Sequence, residues 1–123
     1  MAAILIVDDD DIIRDTLFEL LSTEYQCETA ETAETALAKL EAQRFDVVLT
    51  DISMPGLSGV QLLNRVLKLY PGTPVIMISG LSDQDQAVSL IKLGAFDYLL
   101  KPFRLEVVED SVKRALQLRG KNK

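Results

Sequence analysis

The sequence has no histidine and no tryptophan, and its only cysteine is Cys27. One thiol excludes an intramolecular disulfide. With no second thiol or basic residue beside it, Cys27 lacks the surroundings of a redox centre. Its apolar company points to a buried or half-buried side chain. Basic residues are in the minority, 13 against 19 acidic, for a net charge of -6 and a pI near 4.6. That balance argues against direct nucleic-acid binding, because phosphate backbones need a basic patch. Long apolar runs are missing too, and none approaches the about 20 residues of a membrane span. Met1 to Val7 lacks the basic start of a secretory leader, so a cytoplasmic location is expected. There are no internal repeats and no low-complexity tracts.

What is present suits one folded domain: 123 residues, 48% of them hydrophobic, enough for a core without metal or disulfide staples. The domain is expected over 1–119, with 120–123 a polar tail or linker stub. Short apolar runs alternate with amphipathic stretches five times. Strands are read at Ala3 to Val7, Gln26 to Ala30, Asp46 to Thr50, Val75 to Ile78 and Phe96 to Leu100. Helices follow at Asp11 to Leu21, after the cap Thr32 with Ala36, Leu37 and Leu40 on one face, at Ser58 to Leu69, Asp83 to Leu93 and Leu105 to Leu118. Asp11 is read as the cap of the first helix and Gly94 as the stop of the fourth. Continuously apolar first, third and fourth strands fit a parallel sheet covered on both faces. The class is α/β, a doubly wound (βα)5 domain; of the Rossmann-like and flavodoxin-like forms, five units favour the latter.

In such sheets ligands bind beyond the carboxyl ends of the strands. Asp8 and Asp9 follow the first strand, Asp51 the third, Ser79 the fourth, and Lys101, before Pro102, the fifth. Three carboxylates, a hydroxyl and an ammonium from four segments thus meet at one rim, a far more specific pattern than any short motif. Ionised together and dry, the carboxylates would repel one another; a divalent cation relieves this. Oxygen ligands without histidine or a nearby thiol select a hard ion, Mg²⁺ or Mn²⁺. A carboxylate can attack phosphorus to give an aspartyl phosphate. Lys101 and the cation would neutralise the transferring oxygens, and Ser79 could donate a hydrogen bond to one. Asp10 and Asp11 read as loop and helix cap. Lys113, Arg114, Arg119, Lys121 and Lys123 read as a helix end matched to its dipole and a linker stub.

ILIVDDD (4–10), LTDISMPGLSG (49–59), VIMISG (75–80) and GAFDYLLKPF (94–103) together resemble the receiver domain of bacterial two-component response regulators, over nearly the whole chain. The resemblance implies the flavodoxin-like strand order 2-1-3-4-5, for which response regulators are a standing example, so the order is carried over and not read from the residues. It implies that Asp51 is the phosphoacceptor. Asp9, Asp51 and the carbonyl of Ser53 would bind Mg²⁺, with Asp8 acting through water. Ser79 and Lys101 take the family's hydroxyl and lysine positions, and the Lys101-Pro102 peptide would be cis. Tyr98 takes the aromatic switch position, although a tyrosine there could simply pack and keep its hydroxyl wet. Phosphorylation would draw Ser79 inward and let Tyr98 follow. Ser53 and Leu81 offer no amide or acid to orient water, so self-dephosphorylation should be modest.

The implied partners are a histidine kinase or phosphotransfer protein as donor, and a downstream output domain or protein. The output face is the fourth helix, fifth strand and fifth helix, through which a homodimer could also form. Two other classes use related chemistry or the same fold. A phosphohydrolase of the haloacid dehalogenase type would carry a second aspartate where Ser53 stands. A flavin-binding module would need a Ser/Thr/Gly-rich loop after the first strand, where this chain has four aspartates.

Overall fold

The computed structural model describes residues 1–54, 56–80 and 84–121, those at 84, 85 and 119–121 by backbone alone. Five parallel strands form one sheet: β1 (Ala3–Val7), β2 (Gln26–Ala30), β3 (Val47–Asp51), β4 (Val75–Ser79) and β5 (Asp97–Leu100). Their order is β2-β1-β3-β4-β5, as the flavodoxin-like class requires. The helices are α1 (Asp11–Leu21), α2 (Ala33–Ala42), α3 (Gly59–Leu69), α4 (Gln84–Leu93) and α5 (Leu105–Lys121).

The period of two along each strand divides the core into two layers. Leu5, Val7, Val48 and Met77 face α2 and α3 through Ala33, Ala36, Leu40, Leu62, Leu63 and Val66, with Leu90 of α4 beside them. Ile4, Ile6, Val47, Leu49, Ile76 and Ile78 face α1 and α5 through Leu17, Leu21, Val108, Val112 and Ala115. Every residue of β1, β3 and β4 is buried, which is why those strands carry no polar alternation.

Several boundaries differ from the sequence reading. The cap of α1 is Asp10, not Asp11. Asp10 has extended backbone, and its Oδ1 accepts from the N–H groups of Ile12 and Ile13 at 2.9 and 3.3 Å. Asp11 is already helical. Thr32 caps α2 as expected. Ser58 caps α3 from outside the helix, in a reciprocal box with Gln61. Asp46 stands outside β3, bound to Ala3 by its N–H (2.7 Å) and its carboxylate (2.8 Å), so the strand is displaced one residue onto Asp51. Ser79 likewise closes β4, and β5 begins at Asp97, not Phe96. The helix α5 runs three residues past Leu118. Gly94 ends α4 with φ of 130° and a β-carbon position only 2.9 Å from Leu67 Cδ1, so a side chain is unwelcome there. The expected start of α4 at Asp83, the Leu81 position and residues 122–123 lie outside the described residues.

Candidate functional site

Parallel strands bring their carboxyl ends to one edge, and the polar residues stand along it. Asp8 follows β1 directly; its N–H donates to the Ala30 carbonyl at 3.1 Å, continuing the ladder to β2. Asp51 is the last residue of β3 and lies opposite Ile78 of β4. Ser79 is next along β4, opposite Leu100, and its carbonyl accepts from the Lys101 N–H at 2.7 Å. Registry alone therefore carries Asp8, Asp51, Ser79 and Lys101 to adjacent places.

The side chains close the arrangement. Lys101 Nζ donates to Asp8 Oδ2 at 3.3 Å and stands 3.6 Å from Asp51 Oδ2. Asp8, Asp9 and Asp51 each offer a carboxylate oxygen within 4.8 Å of the other two, Asp8 and Asp51 buried and Asp9 exposed. One ammonium for three carboxylates leaves an excess of negative charge. Burial pushes the Asp51 carboxyl above the usual carboxylate range; Asp8 adds to the rise and Lys101 opposes it. Burial also raises Asp8, against the Asp10 N–H on its Oδ1 (2.8 Å) and the Lys101 ammonium. All-oxygen donors in a crowded, electron-rich pocket fit a hard divalent cation. Ser53, two residues past Asp51, is exposed on the same rim, and the Lys101-Pro102 peptide is cis.

Tyr98 is half-buried on β5, and its hydroxyl donates to Gln86 Oε1 of α4 at 3.3 Å. The hydroxyl thus has a protein partner on α4. Arg114 also departs from expectation. Instead of joining a basic tail, its guanidinium bonds Asp97 and Asp110, each at 2.9 Å, and lies over the Phe96 ring. Cys27 is half-buried, and desolvation pushes its thiol up to about 11, away from thiolate chemistry.

Two residues at the site were not singled out from sequence. Gly59 opens α3 directly behind Asp51, and its N–H donates to the Ile52 carbonyl at 2.8 Å. Its place inside a Gly-rich turn was the available signal. Arg14 of α1 donates from Nη1 to the Asp8 carbonyl at 2.9 Å. It lies six residues after Asp8, on the first turns of a helix, which was a signal only of proximity. No described helix is long and apolar enough to cross a membrane.

Comparison with known proteins agrees with this geometry. The family model for the response regulator receiver domain matches residues 4–113. The DNA-binding transcriptional regulator NtrC of Salmonella typhimurium is 42% identical over 112 residues, covering 90% of this chain and 24% of that protein. The chain therefore spans about a quarter of the length of the curated relatives it matches. A CheY-like receiver domain protein of Methanospirillum hungatei superimposes with a TM-score of 0.93 at 35% identity, covering 100% of this chain and 99% of that one. NtrX from Brucella abortus, solved with ADP, gives a TM-score of 0.93 at 38% identity over 99% of this chain and 29% of its own.

Proposed function

Because the chain belongs to the response regulator receiver domain family, we propose that it is a phosphorylation-controlled signalling switch whose phosphoacceptor is Asp51. The observation that carries this reading is the Lys101 ammonium, held between the carboxylates of Asp8 and Asp51 at 3.3 and 3.6 Å. A carboxylate oxygen of Asp51 attacks the phosphorus of a phosphohistidine or a small acyl phosphate. The new P–O bond makes an acyl phosphate, and the bond to the donor's nitrogen or oxygen breaks with its electron pair leaving on the donor. Lys101 meets negative charge on the transferring oxygens, and the Ser79 hydroxyl donates to one of them.

Asp9, Asp51 and the Ser53 carbonyl would hold Mg²⁺, or Mn²⁺ in its place, with Asp8 acting through water. When bound, the ion supplies positive charge to the carboxylates and to the incoming phosphoryl oxygens. Ser79 then moves toward the phosphoryl group and Tyr98 turns inward behind it, biasing a pre-existing equilibrium. The face made by α4, β5 and α5 is the output surface. Val88, Leu100 and Val107 are exposed on it, which supports a role in contact with an output domain, a target protein or a second copy. The donor is a histidine kinase or phosphotransfer protein. The domain works in the cytoplasm, does not itself touch nucleic acid, and catalyses only its own phosphorylation and dephosphorylation. With Ser53 offering no amide or acid, the phosphoryl group is lost slowly.

Incubation with Mg²⁺ and acetyl phosphate, read by intact mass, tests this. One phosphoryl group should add to the wild type and none to Asp51→Asn or to protein in EDTA. Equal labelling of Asp51→Asn would overturn the assignment. Multiple turnover on small phosphate esters would instead favour a phosphohydrolase, and flavin absorbance in the purified protein a flavin module.

A further inference from the structure

Asp8 is anchored by more than its carboxylate. Its N–H bonds the Ala30 carbonyl, Oδ1 accepts from the Asp10 N–H and Oδ2 from Lys101. The remaining group, its backbone carbonyl, accepts from Arg14 Nη1 at 2.9 Å. The other terminal nitrogen of Arg14 pairs with the Asp11 carboxylate. This side chain is only 11% exposed although Asp11 beside it is 81% exposed, so the guanidinium is folded back under the acidic loop.

A peptide unit is planar, so holding the Asp8 carbonyl fixes the direction in which the chain enters Asp9. Asp9 is exposed, whereas Asp8 and Asp51 are buried. We propose that Arg14 is a positioning residue for the cation site: by clamping the Asp8–Asp9 peptide it sets the two carboxylates at the angle a hard cation needs. This rests on the reading of Asp8, Asp9 and Asp51 as that site. The electrostatic sign separates the proposal from a simple charge effect. A positive charge near three carboxylates disfavours a second cation, so if Arg14 acted by charge alone its removal would tighten Mg²⁺ binding. Asp11 pairs with that charge, and the geometric part is what remains.

The test is calorimetric titration of the metal-free chain with Mg²⁺, for the wild type, Arg14→Ala and Arg14→Lys, with urea unfolding in EDTA to establish that each variant is folded. Arg14→Ala should bind Mg²⁺ about tenfold more weakly, the lower end of the range for groups that orient metal ligands. Arg14→Lys should also be weakened, since a single nitrogen does not reproduce the fixed spacing of the two guanidinium nitrogens that reach Asp8 and Asp11. Unchanged or tighter binding by Arg14→Ala would overturn the proposal while leaving the cation site standing. If that variant does not fold, Lys binding as tightly as wild type would overturn it. A wild type that takes up no Mg²⁺ would remove the cation site itself, and the proposal with it.

Discussion

The α-carbon of Gly59 sits so close to Asp51 that a β-carbon there would lie 1.9 Å from the Asp51 carbonyl oxygen and 2.8 Å from its carbonyl carbon. The first turn of α3 is thereby packed against the backbone that carries the proposed phosphoacceptor. What fills this contact is main chain, which cannot rotate aside as a flexible side chain would.

Gly59→Ala therefore has an expected sign opposite to that of an ordinary helix. In an open helical position alanine is favoured over glycine by about 1 kcal/mol. Here the added methyl must displace α3 or the end of β3, and overpacking of this kind costs about 1–3 kcal/mol. Urea unfolding should show a net loss of stability, and phosphorylation of Asp51 should slow as its backbone shifts. A variant as stable as the wild type would mean that α3 can slide without consequence.

This relation also marks where sequence reading stops. The alternation of apolar runs and amphipathic stretches disclosed five strands and five helices, most plainly at β1, β3 and β4, which are buried throughout and carry few polar residues to confuse the period. The rim was legible because its members, Asp8, Asp51, Ser79 and Lys101, each stand at a strand's carboxyl end, where topology alone collects them. The strand order and the residue roles came from family resemblance. Less was visible wherever chemically equal neighbours competed. In a run of four aspartates any could cap α1, and only the extended backbone at Asp10 decides. Contacts between separate segments were harder to see: a Gly-rich turn hints that Gly59 needs room but not that the Asp51 carbonyl takes it, and nothing in Arg114 announces Asp97.

That last pair leads to a second prediction. Asp97 Oδ2 accepts from the Ser111 hydroxyl at 2.6 Å and from Arg114 at 2.9 Å, while Oδ1 accepts from the Tyr98 N–H at 2.8 Å. Ser111 is fully buried, whereas the Arg114 side chain is half exposed. Asp97→Ala strands the buried Ser111 hydroxyl, at about 1–3 kcal/mol, and removes the pair with Arg114 as well. Arg114→Ala removes the exposed pairs to Asp97 and Asp110 and the contact over Phe96, each worth below about 1 kcal/mol. Urea titrations of the two variants should differ in that order. Equal losses would place the energy in the ion pair and not in the buried hydroxyl.

The acidic rim sets a third expectation, in pH and metal together. Burial and neighbouring charge raise the Asp51 carboxyl above its ordinary value of 3.8. Between that value and the raised one, the folded chain holds more proton than the unfolded chain. Stability then falls as pH rises through the interval, and the full penalty is present above it. Asp51→Asn removes the titrating group. In EDTA near neutral pH it should melt higher than the wild type, by about 3–6 °C for a change of about 1 kcal/mol in a domain of this size. The gap should shrink as the pH is lowered toward the ordinary carboxylate value of 3.8, since the raised carboxyl of the wild type takes up its proton before that point. Saturating Mg²⁺ should reverse the ranking, because a ligand at 100 times its Kd stabilises its folded partner by about 2.7 kcal/mol and the variant lacks one carboxylate to hold it. Melting curves with and without Mg²⁺ at two pH values contain the whole test. A variant that melts below the wild type in EDTA at neutral pH would show that Lys101 alone balances the three carboxylates.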